Sequence, residues 1–199
     1  MSNRELVTGI VLAAGAGTRY GMPKVLAGGG DWLRRAVTAL ADGGCDDVVV
    51  VLGAAVVDVP APARAVLADD WASGVSASVR AGVSAADGAA LAVLHTVDTP
   101  DVGADVVARV LARSAETGLA RATYGGRPGH PVVIASRFWP ALLGTLSGDE
   151  GARPFLAGRD DVVRVECGDA ATGVDVDERS REEQGTDERS REEQGPDER

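Results

Sequence analysis

Lys24 is the only lysine among 199 residues, in a chain whose other basic side chains are all arginine. It closes the segment LAAGAGTRYGMPK (Leu12 to Lys24), in which Gly15, Gly17 and Arg19 follow an apolar run. Glycines let a backbone turn sharply and present its N–H groups to phosphate oxygens, arginine adds a forked contact, and lysine adds a compact point charge. Pro23 stiffens the approach of Lys24. The chemistry these residues suit is the holding of a polyphosphate. An arginine-biased chain that keeps one lysine marks a place where the two cations are not interchangeable. The plain alternative is a glycine turn carrying two solvated cations.

Two familiar glycine-loop patterns do not fit. A P-loop needs Gly-Lys followed by Ser or Thr, whereas Pro23 precedes Lys24 and Val25 follows it. A dinucleotide fingerprint needs a third glycine where Tyr20 stands, with Gly21 one step late, and an acid where the second strand ends in Leu52 and Gly53.

The elements that must position this loop are legible from periodicity. Leu6 to Leu12 is a continuous apolar run of strand length, as a parallel strand buried on both faces requires. Asp31, read as an N-cap, opens a helix with Leu33, Val37 and Leu40 on one face, and Gly43 and Gly44 close it. Asp47 to Leu52 and Ala65 to Leu67 read as strands, and Val75, Val79 and Val83 as a helix. Leu91 to Val97 is a fourth strand ending at Asp98, and Val102, Val106 and Val110 mark the next helix. Alternation of this kind predicts an α/β fold, a Rossmann-like three-layer α/β/α arrangement of a mostly parallel sheet with an antiparallel edge. That antiparallel element, an insert or an edge, is read from short strands at Ala120 to Tyr124 and Pro131 to Ala135, separated by a loop GGRPGH. Helices around Phe138 to Leu143 and Glu150 to Leu156, then a strand at Val162 to Val165, complete a domain over residues 1–176.

From Asp177 the composition changes to a ten-residue repeat, DERSREEQGT then DERSREEQGP, without an aliphatic or aromatic side chain. Nothing in it can bury a core, so residues 177–199 read as a disordered charged tail. This tail carries ten acids against five arginines, half of the formal net charge of −10. An acidic chain without a basic stripe argues against nucleic acid as partner and for a small ligand in a local pocket. The apolar run at Thr8 to Ala16 is too short to span a bilayer, which argues against a membrane and for a cytoplasmic protein. Cys45 and Cys167 have no metal-ligand spacing and read as reduced thiols.

The glycine segment matches L-x-x-G-x-G-x-R-x-x-x-P-K through Leu12, Gly15, Gly17, Arg19, Pro23 and Lys24, and so resembles the signature of the sugar-phosphate and cofactor nucleotidyltransferases. Within them the chain is similar to the MobA-like group, closest to the molybdenum cofactor cytidylyltransferase branch. The further resembling stretches are WASGVSASVRAG (Trp71 to Gly82), VDTPDV (Val97 to Val102), and GHPVV with SGDEGARPFL (Gly129 to Leu156). Ala14, in LAAG rather than LAGG, leans toward CTP. The resemblance implies nucleotide contacts from Leu12, Ala13, Ala14, Gly15, Gly17, Arg19 and Lys24, with Ser76 and Ser78 suggestive for base or ribose. It implies Mg²⁺ on Asp98, an assignment that competes with a simple helix-capping role. The segment VDVDERS departs from the usual DIDTPEDL-like ending, so either Asp175 or Asp177 could supply a second metal ligand.

His130, in GHP, reads as structural or substrate-orienting, and His95 as a core histidine. Asp149 and Arg153 could contact the acceptor or form a local ion pair. The implied activity is Mg²⁺-dependent transfer of a nucleoside monophosphate from an NTP, CTP by preference, to a phosphorylated acceptor such as molybdopterin. Lys24, Arg19 and Asp98 would be the catalytic residues, and a molybdoenzyme or its chaperone a partner. One alternative is an NAD(P)H-dependent reductase of the nicotine blue oxidoreductase type. Another is a non-catalytic nucleotide-binding chaperone for cofactor insertion.

Overall fold

The computed structural model describes residues 5–177. Seven strands form one sheet: β1 (Val7–Leu12), β2 (Asp47–Leu52), β3 (Arg64–Leu67), β4 (Leu91–Thr96), β5 (Leu119–Tyr124), β6 (Arg127–Ala135) and β7 (Val163–Glu166). Their order is β3-β2-β1-β4-β6-β5-β7. The central strands β1 and β2 are buried almost throughout, which is why they read as unbroken apolar runs rather than alternating ones.

Helices cover both faces. On one side α1 (Asp31–Asp42) and α3 (Ala104–Arg113) pack Leu33, Val37, Leu40, Val106 and Val110 against Val11, Val50 and Val93. On the other, α2 (Val75–Ala85), α4 (Trp139–Thr145) and α5 (Arg153–Leu156) bury Val79, Val83, Leu142 and Phe155 against Ile10, Val51 and Leu94. The three-layer, mostly parallel architecture is the one the alternating pattern predicts.

Two local expectations change. Gly30, in the left-handed region, is the N-cap of α1. Asp31 lies just inside the helix, and its carboxylate accepts from Arg35 at 2.6 Å instead of capping. The segment GGRPGH is not a loop, because the turn contracts to Gly125 and Gly126 and β6 already starts at Arg127. Pro128 and Pro131 are tolerated there because β6 pairs with β4 only over Val132–Ala135, leaving its first half with a single neighbour. Of the two placements read for the antiparallel element, the insert is the one observed: β6 lies inside the sheet, antiparallel to β4 and β5, and β5 and β7 run parallel to one another beyond it. Of the predicted tail, residues 178–199 lie outside the described residues.

Candidate functional site

Strand order reverses its direction of growth at β1. From it β2 and β3 are laid down on one side, and β4 on the other, both β2 and β4 parallel to β1. The carboxyl ends of β1 and β4 therefore flank a crevice, which is where open α/β sheets bind ligands. After Leu12 the chain enters the glycine segment, and after Thr96 it reaches Asp98. The two motifs most distant in character thus meet for a topological reason.

The glycine loop is pinned at its base. Ala13 N–H donates to Val51 O at 3.0 Å and Ala54 N–H to Ala14 O at 3.0 Å. Gly17 adopts φ +60°, and a Cβ there would lie 1.9 Å from Met22 O, so only glycine lets the loop fold back on itself. Gly21 N–H then closes the turn onto Gly17 O at 2.8 Å. Tyr20, buried, stacks tilted on Trp32 of α1 with centroids 5.2 Å apart and anchors the far end.

Lys24 issues from this loop into the crevice. Its Nζ donates to Asp98 Oδ2 at 2.8 Å and to Asp177 Oδ1 at 2.9 Å. Arg19, largely exposed, approaches the other Asp177 oxygen at 3.4 Å. Burial works against the Lys24 charge, but the bonds from Asp98 and Asp177 outweigh it and hold the pKa above its ordinary value. The Lys24 bond in turn holds the Asp177 carboxyl below its usual range. Asp175 goes the other way, raised by burial and then by its neighbours Asp98 and Asp177. Sequence reasoning places Lys24 on phosphate with Asp98 facing it; in this structure the ammonium sits directly on Asp98.

Asp177 is delivered by a strap without regular secondary structure. Thr172 N–H and Oγ1 both donate to Asp101 Oδ2 at 2.6 Å, and Gly173 N–H donates to the same oxygen at 3.3 Å. Val176 N–H donates to Asp98 O at 2.9 Å. Asp101 and the Asp98 carbonyl thus hang the strap beside the loop that carries the first acid. Asp101 was legible only as a residue of VDTPDV, because a strap of irregular backbone gives no periodicity to read.

The donor set suits a hard divalent cation. Both acids offer oxygen, Asp98 Oδ1 is buried without a partner among the described residues, and the Lys24 ammonium already stands between the two carboxylates as a cation would. Among the described residues no group of three or more His, Cys, Asp or Glu is placed to hold a metal, so substrate oxygens and water would have to complete the coordination.

Residues 9–163 match the profile of the MobA-like NTP transferase domain. The chain belongs to the MobA-like NTP transferase family. A curated relative within reach of this family, the nicotine blue oxidoreductase of Paenarthrobacter nicotinovorans, is 38% identical over 187 residues, covering 86% of this chain and 92% of that protein. Rv0371c from Mycobacterium tuberculosis H37Rv superposes with a TM-score of 0.72 at 24% identity, over 95% of this chain and 98% of that one. The same mycobacterial protein is also known as a manganese complex. A nucleotidyl transferase from Methanothermobacter superposes with a TM-score of 0.73 at 20% identity, over 94% and 99% of the two chains.

Against this MobA-like frame the remaining predicted residues separate. Ser76 and Ser78 are buried in the first turn of α2, which follows β3 and so starts on the crevice side of the sheet. Ser76 Oγ has no partner among the described residues. Asp149 accepts from Val75 N–H at 3.3 Å, serving as a cap for α2 supplied from a distant loop. It makes no ion pair with Arg153 among the described residues, which removes the local-pair reading. His130 lies with Nδ1 3.4 Å from Leu94 O, and Tyr124 Oη donates to His130 O at 2.6 Å, a setting that suits a structural role. His95 is fully buried in β4, as a core histidine, with neither ring nitrogen partnered among the described residues. Burial, with His130 adding to it, pushes its pKa down to about 3. Among the described residues no helix is long and apolar enough to cross a membrane.

Proposed function

We propose that this MobA-like protein is a metal-dependent nucleotidyltransferase that moves a nucleoside monophosphate from an NTP to a phosphorylated small-molecule acceptor and releases pyrophosphate. The observation that carries the reading is Lys24 bonded at once to Asp98 and Asp177 at the mouth of the glycine loop. CTP is the preferred donor on the strength of Ala14, molybdopterin the preferred acceptor, and Mg²⁺ the preferred metal. The manganese complex of Rv0371c is consistent with a divalent ion in this fold.

The transfer is an in-line displacement. An acceptor phosphate oxygen forms a bond to the α-phosphorus as the bond to the β-phosphate bridging oxygen breaks, and pyrophosphate departs with that oxygen. No hydroxyl needs activation, so no general base is required, in keeping with the His130 setting. The loop N–H groups and Arg19 bind the departing phosphates. Lys24, swung from the carboxylates to the nucleotide, neutralises charge on the same groups. A divalent cation held by Asp98 and Asp177 would supply charge neutralisation at the α-phosphate.

A panel of the four NTPs, with Mg²⁺ and candidate acceptors including molybdopterin, assayed for pyrophosphate release, tests this directly. Release with CTP and one acceptor is the expected result, and no release with any combination would overturn it. The 38% identity to a nicotine blue oxidoreductase favours a second reading, reduction by NAD(P)H. A fluorescence titration separates them: NAD(P)H binding without metal-dependent NTP binding would favour the reductase.

A further inference from the structure

Arg121 on β5 stands directly beside Arg164 on the parallel strand β7. Arg153, at the start of α5, is close enough that its charge also bears on Arg121. Like charges at adjacent register positions repel, and sheets avoid them unless an opposite charge intervenes. None does here, since none of the ion pairs among the described residues includes any of the three. Among the described residues, Arg121 Nε is shut off from solvent without an acceptor, and Nη2 reaches only Gly129 O at 3.5 Å. Burial first, then the Arg164 and Arg153 charges, lower its pKa.

A half-buried guanidinium without a counter-charge destabilises a fold unless a ligand completes it. The position suggests which ligand. Arg121 reaches Gly129 O, the next residue His130 has Nδ1 3.4 Å from Leu94 O, and β4 runs on from Leu94 to the turn that carries Asp98, so the arginine cluster borders the crevice that holds the metal carboxylates. We propose that Arg121, with Arg153 and Arg164, binds a phosphoryl or similarly dianionic group of the acceptor. A dianion matches the forked donors of several guanidinium groups in a way that a single lysine could not. The inference rests on the nucleotidyltransferase reading, and it adds Arg121 and Arg164 to the single acceptor arginine expected from the sequence.

The test uses inorganic phosphate as probe on the full chain, at constant ionic strength, comparing wild type, Arg121→Met and, as a charge-removal control, Arg113→Met, whose exposed guanidinium pairs with Glu116, by thermal unfolding and calorimetric titration. Phosphate is expected to stabilise wild type and Arg113→Met alike, and to bind Arg121→Met at least tenfold more weakly. Without phosphate, Arg121→Met is expected to unfold no lower than wild type, because it sheds an uncompensated charge. Equal phosphate binding by Arg121→Met and wild type, no binding by wild type, or an equal loss of binding in Arg113→Met would each overturn the proposal. Failure of the transferase reading shows separately, as absence of metal-dependent NTP binding to the wild-type protein.

Discussion

Lys24 Nζ lies 2.8 Å from Asp98 Oδ2, so the cation suited to phosphate and the carboxylate suited to metal neutralise one another. Both side chains are mostly buried, at 14% and 21% exposure, where a lost partner leaves a costly charge. On the proposed reading, the pair keeps the crevice charge-balanced until nucleotide and metal arrive together, each releasing the other's partner.

Lys24→Met removes the ammonium without much change in volume. Turnover with a verified substrate should fall on the order of 10²–10³, the usual effect of deleting one electrostatic contact to a transition state. Mn²⁺ binding to the nucleotide-free variant, followed by electron paramagnetic resonance, should instead become tighter than in wild type. Near-normal turnover would remove Lys24 from the mechanism, and unchanged Mn²⁺ binding would show that it does not compete for Asp98 and Asp177.

Asp101→Ala withdraws the oxygen that accepts from Thr172 and Gly173. Hydrogen bonds to charged groups contribute about 1.5–3 kcal/mol, so losing the three should raise the metal concentration for half-saturation by roughly tenfold or more. The rate at saturating metal should change far less. Asp101→Asn keeps an acceptor oxygen and should recover most of the effect. If Asn behaves like Ala, the carboxylate acts through its charge rather than by holding the strap.

Gly17→Ala forces a methyl group against Met22 O in a loop that needs φ +60°. Strain of this kind costs on the order of 1–3 kcal/mol. It should appear as NTP affinity lowered about 10- to 100-fold, with circular dichroism unchanged. Wild-type affinity would mean that the loop opens before it binds.

His95 links stability to pH. Its unfolded form takes up a proton near pH 6.5, the folded form only near pH 3. Between those values the unfolded chain holds one more proton, so stability is complete above about pH 6.5 and falls by up to about 1.4 kcal/mol per unit as pH drops. His130, also lowered by burial, acts in the same direction. Urea denaturation of His95→Leu at pH 7 and pH 5 should give a visibly smaller difference than wild type. An equal difference would assign the acid sensitivity elsewhere.

The sequence carried the sheet because β1, β2 and β4 are buried on both faces, and each therefore shows as a largely apolar run without alternation. It carried the glycine loop and Asp98 because both are short, local patterns. It did not carry Lys24 bonded to Asp98, which depends on β4 being laid beside β1 and on a strap arriving from much later in the chain. Arg121 was equally hidden: on its own strand it is one polar residue among Leu119, Ala120 and Ala122, and its meaning appears only when β7 places Arg164 beside it. The start of β6 at Arg127 was missed because proline and glycine speak for a loop until it is known that one flank of the strand has no neighbour.

Lys24 and Asp177 are 153 residues apart, and the last strand of the sheet ends at Glu166. The order of synthesis follows from this. A nascent chain has the sheet, the glycine loop and Asp98 before the second acid has been made. Such a chain contains every strand but lacks the second carboxylate that Lys24 pairs with, so the centre is completed last. On the proposed reading, a single proteolytic cut within the strap would part Asp177 from Lys24 and silence the enzyme while leaving all seven strands uncut.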